Sequence, residues 1–382
     1  MKIIDHTYDG PIPKSFPFPK EELLFFDIET TGFSPKTSAI YLIGVLYYDD
    51  HSWNCKQWFA DDYQSEESLL TAFFHFLSSY SYLIHFNGTG FDIPFLEKKC
   101  QAHQLTGTPY SFEQIQSLDL YQAIYPYRKK LNTENLKQKT LEQFWGIQRE
   151  DLYTGGQLIK FYQAYMKEKQ MGKEINIEQV TQLILHNYED LCGMLQFFGI
   201  LDLSRLLGGT LSLTQLSATI QGSSLLQVTA TTPTAFPVTL CWTDAGTMLC
   251  VEQNTLTLRV PILQTELKLF YDNYKDYYYL PLEDTAMHKS IATYVDRDYR
   301  KKATKQTCYT RQNGAFIITY SASLTPQFRE SYDSPVKYLS VSDAFLQDPT
   351  ALEQYVRDFI QYCPDLLLTV SKDSITADWT AE

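Results

Sequence analysis

The hydrophobic pattern is irregular at first and then alternates between strand and helix periods. Residues 1–22 carry Pro11, Pro13, Pro17 and Pro19. Each proline fixes its own φ and restrains the residue before it, so this stretch reads as an extended arm. Leu23 to Phe26 form an apolar run of strand length. Residues 38–48 read as a second strand, with Gly44 marking a bulge or a close approach. Residues 52–60 are a third, joined to the second by a hairpin turn at Asp49, Asp50 and His51. Leu69, Leu70, Phe73, Phe74 and Leu77 keep a helical period over 66–80. Residues 82–86 are a fourth, apolar strand, followed by a loop at 87–90 and a helix over 91–101 with Pro94 in its first turn. A fifth short strand is expected at 115–120. Helices follow at 140–145, at 157–167 and, as a single long element, at 177–203.

From Leu206 the helical period stops, and Gly208 and Gly209 mark a boundary. Short runs rich in Thr, Val and Leu follow at 224–231, 237–242, 248–252, 255–260 and 267–271, with turns at 244–246 and 253–254. Asn313-Gly314 suggests another hairpin, and helices are expected near 284–298 and 350–362. The expected organisation is an arm at 1–22, an α/β domain at 23–205, and an α+β, strand-rich accessory domain at 206–382 of unassigned role.

Composition narrows the classes. The 382 residues are 44% hydrophobic and 15% aromatic, enough for a sizeable core and unlike a disordered chain. A formal charge of −13 argues against sequence-blind coating of nucleic acid, which needs basic surface. It leaves open an enzyme that holds its substrate through metal ions. The 7 cysteines are scattered without a CxxC pair, so neither a disulfide framework nor a zinc site is indicated. The first residues lack the apolar core of a signal peptide, and no apolar run approaches the ~20 residues of a membrane span. A cytoplasmic location without membrane contact is expected.

Candidate chemistry starts at Asp27 and Glu29. Two apart on a strand, they project from one face and repel each other unless a cation sits between them. Thr30, Thr31 and Gly32 then make a small turn that a ligand could approach. Taken alone, the pair reads as a strand end with two solvated acids. Asp92 falls in the first turn of a helix, where the dipole favours a carboxylate, either as a ligand or as a simple cap. Asn87, in the loop before it, could orient a ligand or hold the turn. His186 and Asp190 are four apart in an apolar helix and share a face, whereas Tyr188 points away. A buried Asp there needs a partner, and a metal is one. Two basic runs, Arg128 to Lys139 and Arg297 to Arg311, could contact phosphate or simply be solvated. The second follows a crowd of tyrosines from Tyr271 to Tyr279, a composition suited to base stacking or to a core.

Together, Asp27, Glu29, Asp92 and Asp190 resemble the DEDD exonucleases of the ribonuclease H-like superfamily. FDIETTG matches their first motif, HFNGTGFDIPFL their second, and HNYED stands where the third belongs. Within that group, residues 20–205 look most like bacterial YprB-like ribonuclease H-like domain proteins. The resemblance implies a mixed five-stranded sheet flanked by helices and 3′–5′ hydrolysis of nucleic acid, with single-stranded ends as substrate and nucleoside monophosphates released. It implies two divalent cations, Mg²⁺ or Mn²⁺, as all-oxygen ligands favour. Asp27 would bridge both ions, Glu29 and Asp190 would complete one site, and Asp92 would act through water. Thr30, Thr31, Gly32 and Asn87 would meet the terminal nucleotide. The chain departs from the family at the proton-transfer residue. One subgroup places Tyr four before the last Asp and another places His five before it; here His186 is four before and Leu185 five before. His186 is the expected general base. Alternatives are a domain that has lost turnover and serves as a nucleic-acid-binding or assembly module, and a protein whose β half recruits a partner. A pure binder gains nothing from four clustered acids. DNA and RNA stay equally open, as do protein partners.

Overall fold

The apolar run before Asp27 becomes strand β2 (Leu23–Thr30), with Leu23 to Phe26 buried. The computed structural model describes residues 1–371 apart from 15 and 223. It divides the chain into two units, Met1–Ser204 and a second beginning at Arg205. In the first unit β2 lies antiparallel to β3 (Ile40–Asp49) and parallel to β5 (Tyr82–His85). Strand β4 (Ser52–Phe59) pairs with β3, and β6 (Gln116–Asp119) pairs with β5. The β3–β4 turn has Asp50 at φ 46° and His51 at φ 62°, the left-handed pair that a tight hairpin requires.

The sheet is mixed, as expected, but six-stranded rather than five. The sixth is β1 (Lys2–Tyr8), so the arm expected at 1–22 contains a strand. All the prolines lie beyond Tyr8. KIIDHTY keeps its backbone donors and pairs with the edge of β4, from Lys2 opposite Phe59 to Tyr8 opposite Trp53. The full order is β1-β4-β3-β2-β5-β6.

Helices α1 (Glu66–Leu77), α2 (Asp92–Ala102), α5 (Gly155–Gln170) and α6 (Ile177–Gln196) bring apolar faces to this sheet. Shorter α3 (Leu120–Ile124) and α4 (Gln138–Phe144) lie between α2 and α5 in sequence. Phe26, Phe73, Phe74 and Leu96 pack into one core with Tyr41, Tyr162 and Leu183. Each fully buried ring contributes about 1.5–3 kcal/mol of transfer free energy. Tyr41 stacks on Tyr162 at 4.4 Å, joining α5 to β3. The single helix expected over 177–203 is two, α6 and α7 (Ile200–Leu207). Between them the backbone passes Gly199 close to Trp145; a Cβ on that glycine would stand 3.2 Å from the ring.

In the second unit a six-stranded sheet runs Thr214–Gln221, Leu225–Thr231, Thr255–Pro261, Thr247–Glu252, Thr239–Asp244, Thr369–Ser371. Leu263–Phe270, Tyr309–Thr319, Lys337–Ser340 and Phe328–Arg329 close into a small barrel. The helix expected near 350–362 is present as Pro349–Tyr362. Two expectations fail here. Asn313-Gly314 is no hairpin: both residues lie inside Tyr309–Thr319, opposite Glu266 and Thr265, and neither has the positive φ such a turn demands. The helix expected near 284–298 is instead a strand, Thr285–His288, pairing with Tyr277–Leu280, followed by the short helix Lys289–Ala292. Tyr271 and Tyr277 stack on each other at 5.1 Å beside Ala286, Ala303 and Cys308, and Arg300 lies 4.8 Å over Tyr278. These aromatic and basic side chains therefore meet each other within the unit.

Candidate active site

Because β2 and β5 are parallel, the end of β2 and the loop after β5 emerge at the same edge of the sheet, where open α/β sheets hold ligands. Asp27 and Glu29 are on β2, and a bulge follows between Glu29 and Thr30. The loop after β5 is fixed by Asp119. Its carboxylate accepts from Asn87 N at 2.9 Å and Thr89 N at 3.3 Å, and also caps α3. Asn87 sits at φ 59°. That loop delivers Asp92 into the first turn of α2, 7% exposed. The backbone N–H of Ile28, between Asp27 and Glu29, bonds the Asp92 carboxylate.

Helix α6 crosses the sheet above Asp27, and its seat is a row of three residues. Asp27, Gly44 and Gln57 are register partners across β2, β3 and β4. Asn187, wholly buried, lies over Gly44, donates to Asp27 Oδ2 at 2.8 Å and accepts from Gln57 Nε2 at 2.8 Å. A Cβ at Gly44 would stand 1.9 Å from Asn187 Oδ1. The glycine read in the sequence as a bulge or close approach is the close approach, and Asn187 is the partner the sequence did not reveal.

The next residues on α6 bring His186 and Asp190 to the same place. His186 Nε2 lies 3.5 Å from Glu29 Oε1 and 3.4 Å from Asp190 Oδ2. One atom from each of Glu29, His186 and Asp190 falls within 4.8 Å of the others, a spacing a metal ion could bridge. Asp27 and Asp92 are not part of that group of three, although both feel its charge. Burial, then the negative charges of Asp190, Asp92 and Glu29, hold the Asp27 carboxyl well above the ordinary carboxylate range. Burial, opposed by His186 and reinforced by Asp190, pushes Glu29 up to about 7. Burial likewise pushes Asp92 up to about 7 against its backbone hydrogen bonds. For His186, burial pulls downward but is outweighed by Asp190, Glu29 and Asp151, so it is raised. Without a cation, then, several acids share a buried space that disfavours their charged forms. Oxygen donors in that state fit divalent cations.

Residues that the sequence does not single out as site residues complete the site, and Lys139, from the first basic run, is among them. Asp151 Oδ2 is 2.5 Å from His186 Nδ1, and Lys139 Nζ donates to the same oxygen at 2.6 Å. Glu189 accepts from the backbone N–H groups of Glu150 and Asp151, both at 2.8 Å, which ties that loop to α6. Arg149 reaches Asp190 Oδ1 at 2.5 Å and also pairs with the buried Glu142. Tyr41 donates to Glu29 Oε2 at 3.2 Å. Tyr188 faces elsewhere, against His6.

The expected substrate turn is internally bonded. Thr30 Oγ1 donates to Gly32 O, and Thr31 Oγ1 accepts from Ala39 N, both at 2.9 Å. Next to it Phe33 is 89% exposed, edge-on to Phe91. A cavity of about 500 Å³ opens at Asn87, walled by Phe86, Tyr121, Tyr125, Arg128 and Lys137, with Arg128 lying 4.3 Å over Tyr125.

Residues 24–201 match the RNase_H superfamily. With the mixed sheet and flanking helices, this part of the chain is a ribonuclease H-like domain. No curated protein matches the chain. Among solved structures, the family B DNA polymerase of Pyrobaculum calidifontis is similar at 16% identity and TM-score 0.40, over 51% of this chain and 26% of that one. Exonuclease I of E. coli, in complex with a dA16 oligonucleotide, is similar at 14% identity and TM-score 0.26, over 60% of this chain and 54% of that one. Exonuclease I of Methylocaldum szegediense is similar at 13% identity and TM-score 0.29, over 41% and 42%. The chain spans between about a quarter and about half of the length of these proteins. Among the described residues no helix is long and apolar enough to cross a membrane.

Proposed function

We propose that the ribonuclease H-like domain is a divalent-cation-dependent nuclease that hydrolyses phosphodiester bonds from the 3′ end of a single strand. One observation carries the reading: carboxylates from β2, α2 and α6 share one buried space within the segment that matches the superfamily. Asp27, Glu29, Asp92 and Asp190 would hold two ions, Mg²⁺ or Mn²⁺. Bound there, such ions supply positive charge to the scissile phosphate and acidify an attacking water. The chain's own residues supply the rest. Asn187 orients Asp27, Arg149 and Tyr41 orient Asp190 and Glu29, and Asp119 fixes the loop carrying Asn87. The exposed ring of Phe33 and the aromatic cavity beside Asn87 offer stacking faces for the last bases, with Arg128 and Lys137 for backbone phosphate. Thr30, Thr31 and Gly32 would act through the shape of their turn, and the Thr31 hydroxyl, which accepts from Ala39 N, would still have its O–H to donate to the substrate.

The test uses the full chain with DNA and RNA oligonucleotides, single- and double-stranded, labelled at either end, with Mn²⁺ or Mg²⁺ and with chelator. A 5′ label should yield a descending ladder that needs the cation. Asp27→Asn should slow cleavage on the order of 100-fold or more, equivalent to about 3 kcal/mol of transition-state stabilisation. Cleavage that persists in chelator, or is unchanged in Asp27→Asn, refutes the proposal.

A further inference from the structure

The geometry points to His186 as a metal ligand through Nε2, making Glu29, His186 and Asp190 a mixed nitrogen–oxygen site for a divalent first-row transition cation. This rests on the divalent-cation reading above and makes His186 a ligand where the sequence leads one to expect a general base.

Three residues from two elements each have one atom tied back to the protein and one left facing a common centre. His186 Nδ1 is taken by Asp151, so Nε2 faces inward. Asp190 Oδ1 is taken by Arg149, so Oδ2 faces inward. Glu29 Oε2 is taken by the Tyr41 hydroxyl, so Oε1 faces inward. A carboxylate on the far nitrogen of an imidazole is the arrangement that orients ligating histidines and fixes their tautomer. Here that carboxylate is itself anchored three ways. Asp151 is 4% exposed, accepts from Lys139 Nζ and Tyr153 N through its side chain, and has its own backbone N–H held by Glu189.

Distances separate the two roles. From Nε2 to the two carboxylate oxygens is 3.5 and 3.4 Å, longer than the ~2.9 Å typical of N–H···O bonds. Ligand atoms ~2.1 Å from a shared ion stand about 3.0 Å apart in an octahedron and about 3.4 Å apart in a tetrahedron. The two distances from Nε2, 3.5 and 3.4 Å, match the tetrahedral spacing, and ligand atoms of the three residues all lie within 4.8 Å of one another. Nε2 faces the Glu29 and Asp190 oxygens, where an ion shared with them would lie. His186 is only 8% exposed. The donor set also sets the cation. One imidazole beside two carboxylates favours Mn²⁺, Co²⁺ or Zn²⁺ over Mg²⁺, which prefers oxygen.

The test loads the chelator-stripped full chain with Mn²⁺ and records pulsed electron paramagnetic resonance, with the protein unlabelled or labelled with ¹⁵N only in histidine. Electron spin-echo modulation from ¹⁴N in the unlabelled protein should become ¹⁵N modulation in the labelled one, with no substitution required. His186→Gln should abolish it, and Asp151→Asn should weaken Mn²⁺ binding about 10–100-fold. Mn²⁺ should also bind at least about tenfold more tightly than Mg²⁺ in competition. Bound Mn²⁺ with no nitrogen modulation overturns the assignment but leaves the carboxylate-based nuclease proposal standing. Modulation that survives in His186→Gln overturns it too. Failure of the protein to bind Mn²⁺ overturns the assignment, and failure to bind either Mn²⁺ or Mg²⁺ overturns both.

Discussion

Glu29→Gln should stabilise the ribonuclease H-like domain at alkaline pH when no metal is present. The magnitude follows from where Glu29 sits. Burial and Asp190, opposed by His186, push its carboxyl from 4.5 up to about 7. A group whose folded pKa lies above its unfolded one keeps its proton longer in the folded state. Stability is therefore unaffected below about pH 4.5, falls as pH rises from about 4.5 to about 7, and stays reduced above that. At about 1.4 kcal/mol per tenfold change in proton affinity, the loss for Glu29 reaches about 3 kcal/mol at pH 8. Glutamine keeps the shape and the acceptor for Tyr41 but carries no charge. In chelator the variant should match the wild type near pH 5 and exceed it by about 2–3 kcal/mol at pH 8. Saturating Mn²⁺ should close that gap, because the wild type gains about 2.7 kcal/mol at a hundredfold excess over its dissociation constant and the variant has lost an anionic ligand. The assay is hydrogen exchange under mild urea, read by mass spectrometry on peptides from β2 and α6, comparing the two proteins at each pH. The reasoning is refuted by an equal stability difference at pH 5 and pH 8 in chelator, or by a wild type more stable than Glu29→Gln at pH 8 without metal.

Two further perturbations probe how α6 is held. Gly44→Ala puts a methyl 1.9 Å from Asn187 Oδ1 and 2.8 Å from Leu191 Cδ1; lifting α6 off β3 should cost about 1–3 kcal/mol, measured by urea denaturation, and weaken Mn²⁺ binding because Asp27 loses its Asn187 partner. Arg149→Leu leaves Glu142 and Asp190 without their cation in a buried space; a loss of about 3–5 kcal/mol in the same measurement is expected, largely recovered when Glu142→Leu is added.

How much of this was readable in the chain follows from the range over which each signal acts. Strand β2, its two acids, the Asp50-His51 turn and Asp92 in a first helical turn depend on neighbours in sequence, and each lies where its pattern put it. His186 and Asp190 share a face because the helix period alone ensures it. The failures have two physical origins. Some come from local patterns that tertiary pairing overrode. Asn313-Gly314 is a strong turn signal, yet the strand containing it is flanked on both sides, by Leu263–Phe270 and Lys337–Ser340, so ladder hydrogen bonds hold it extended. Prolines at 11 to 19 dominate the pattern of residues 1–22, and KIIDHTY before them is a strand only because β4 offers a free edge. The helix over 177–203 breaks where Trp145, more than fifty residues earlier, closes on Gly199.

Asp151, Arg149 and Asn187 were invisible for a different reason. Arg149 and Asp151 lie in QRED, a segment with no period, and their roles exist only once Glu189 draws that loop onto α6. The motif HNYED has two chemically familiar members, but four of its five residues work on the site: His186 and Asp190 face Glu29, Asn187 holds Asp27, and Glu189 positions the carboxylate that holds His186. Residues 186, 187, 189 and 190 of one helix cannot all face one way, so the site must wrap around α6, with the sheet on one side and the 148–153 loop on the other. That wrapping explains the departure at the fourth position before Asp190. A histidine there lies between β2 and the loop, close enough to both to be oriented by Asp151 and to meet Glu29, whereas Leu185, one residue back, points 100° around the helix. The position of the histidine and the presence of Asp151 are thus one structural feature, and they stand or fall together in the spectroscopic test.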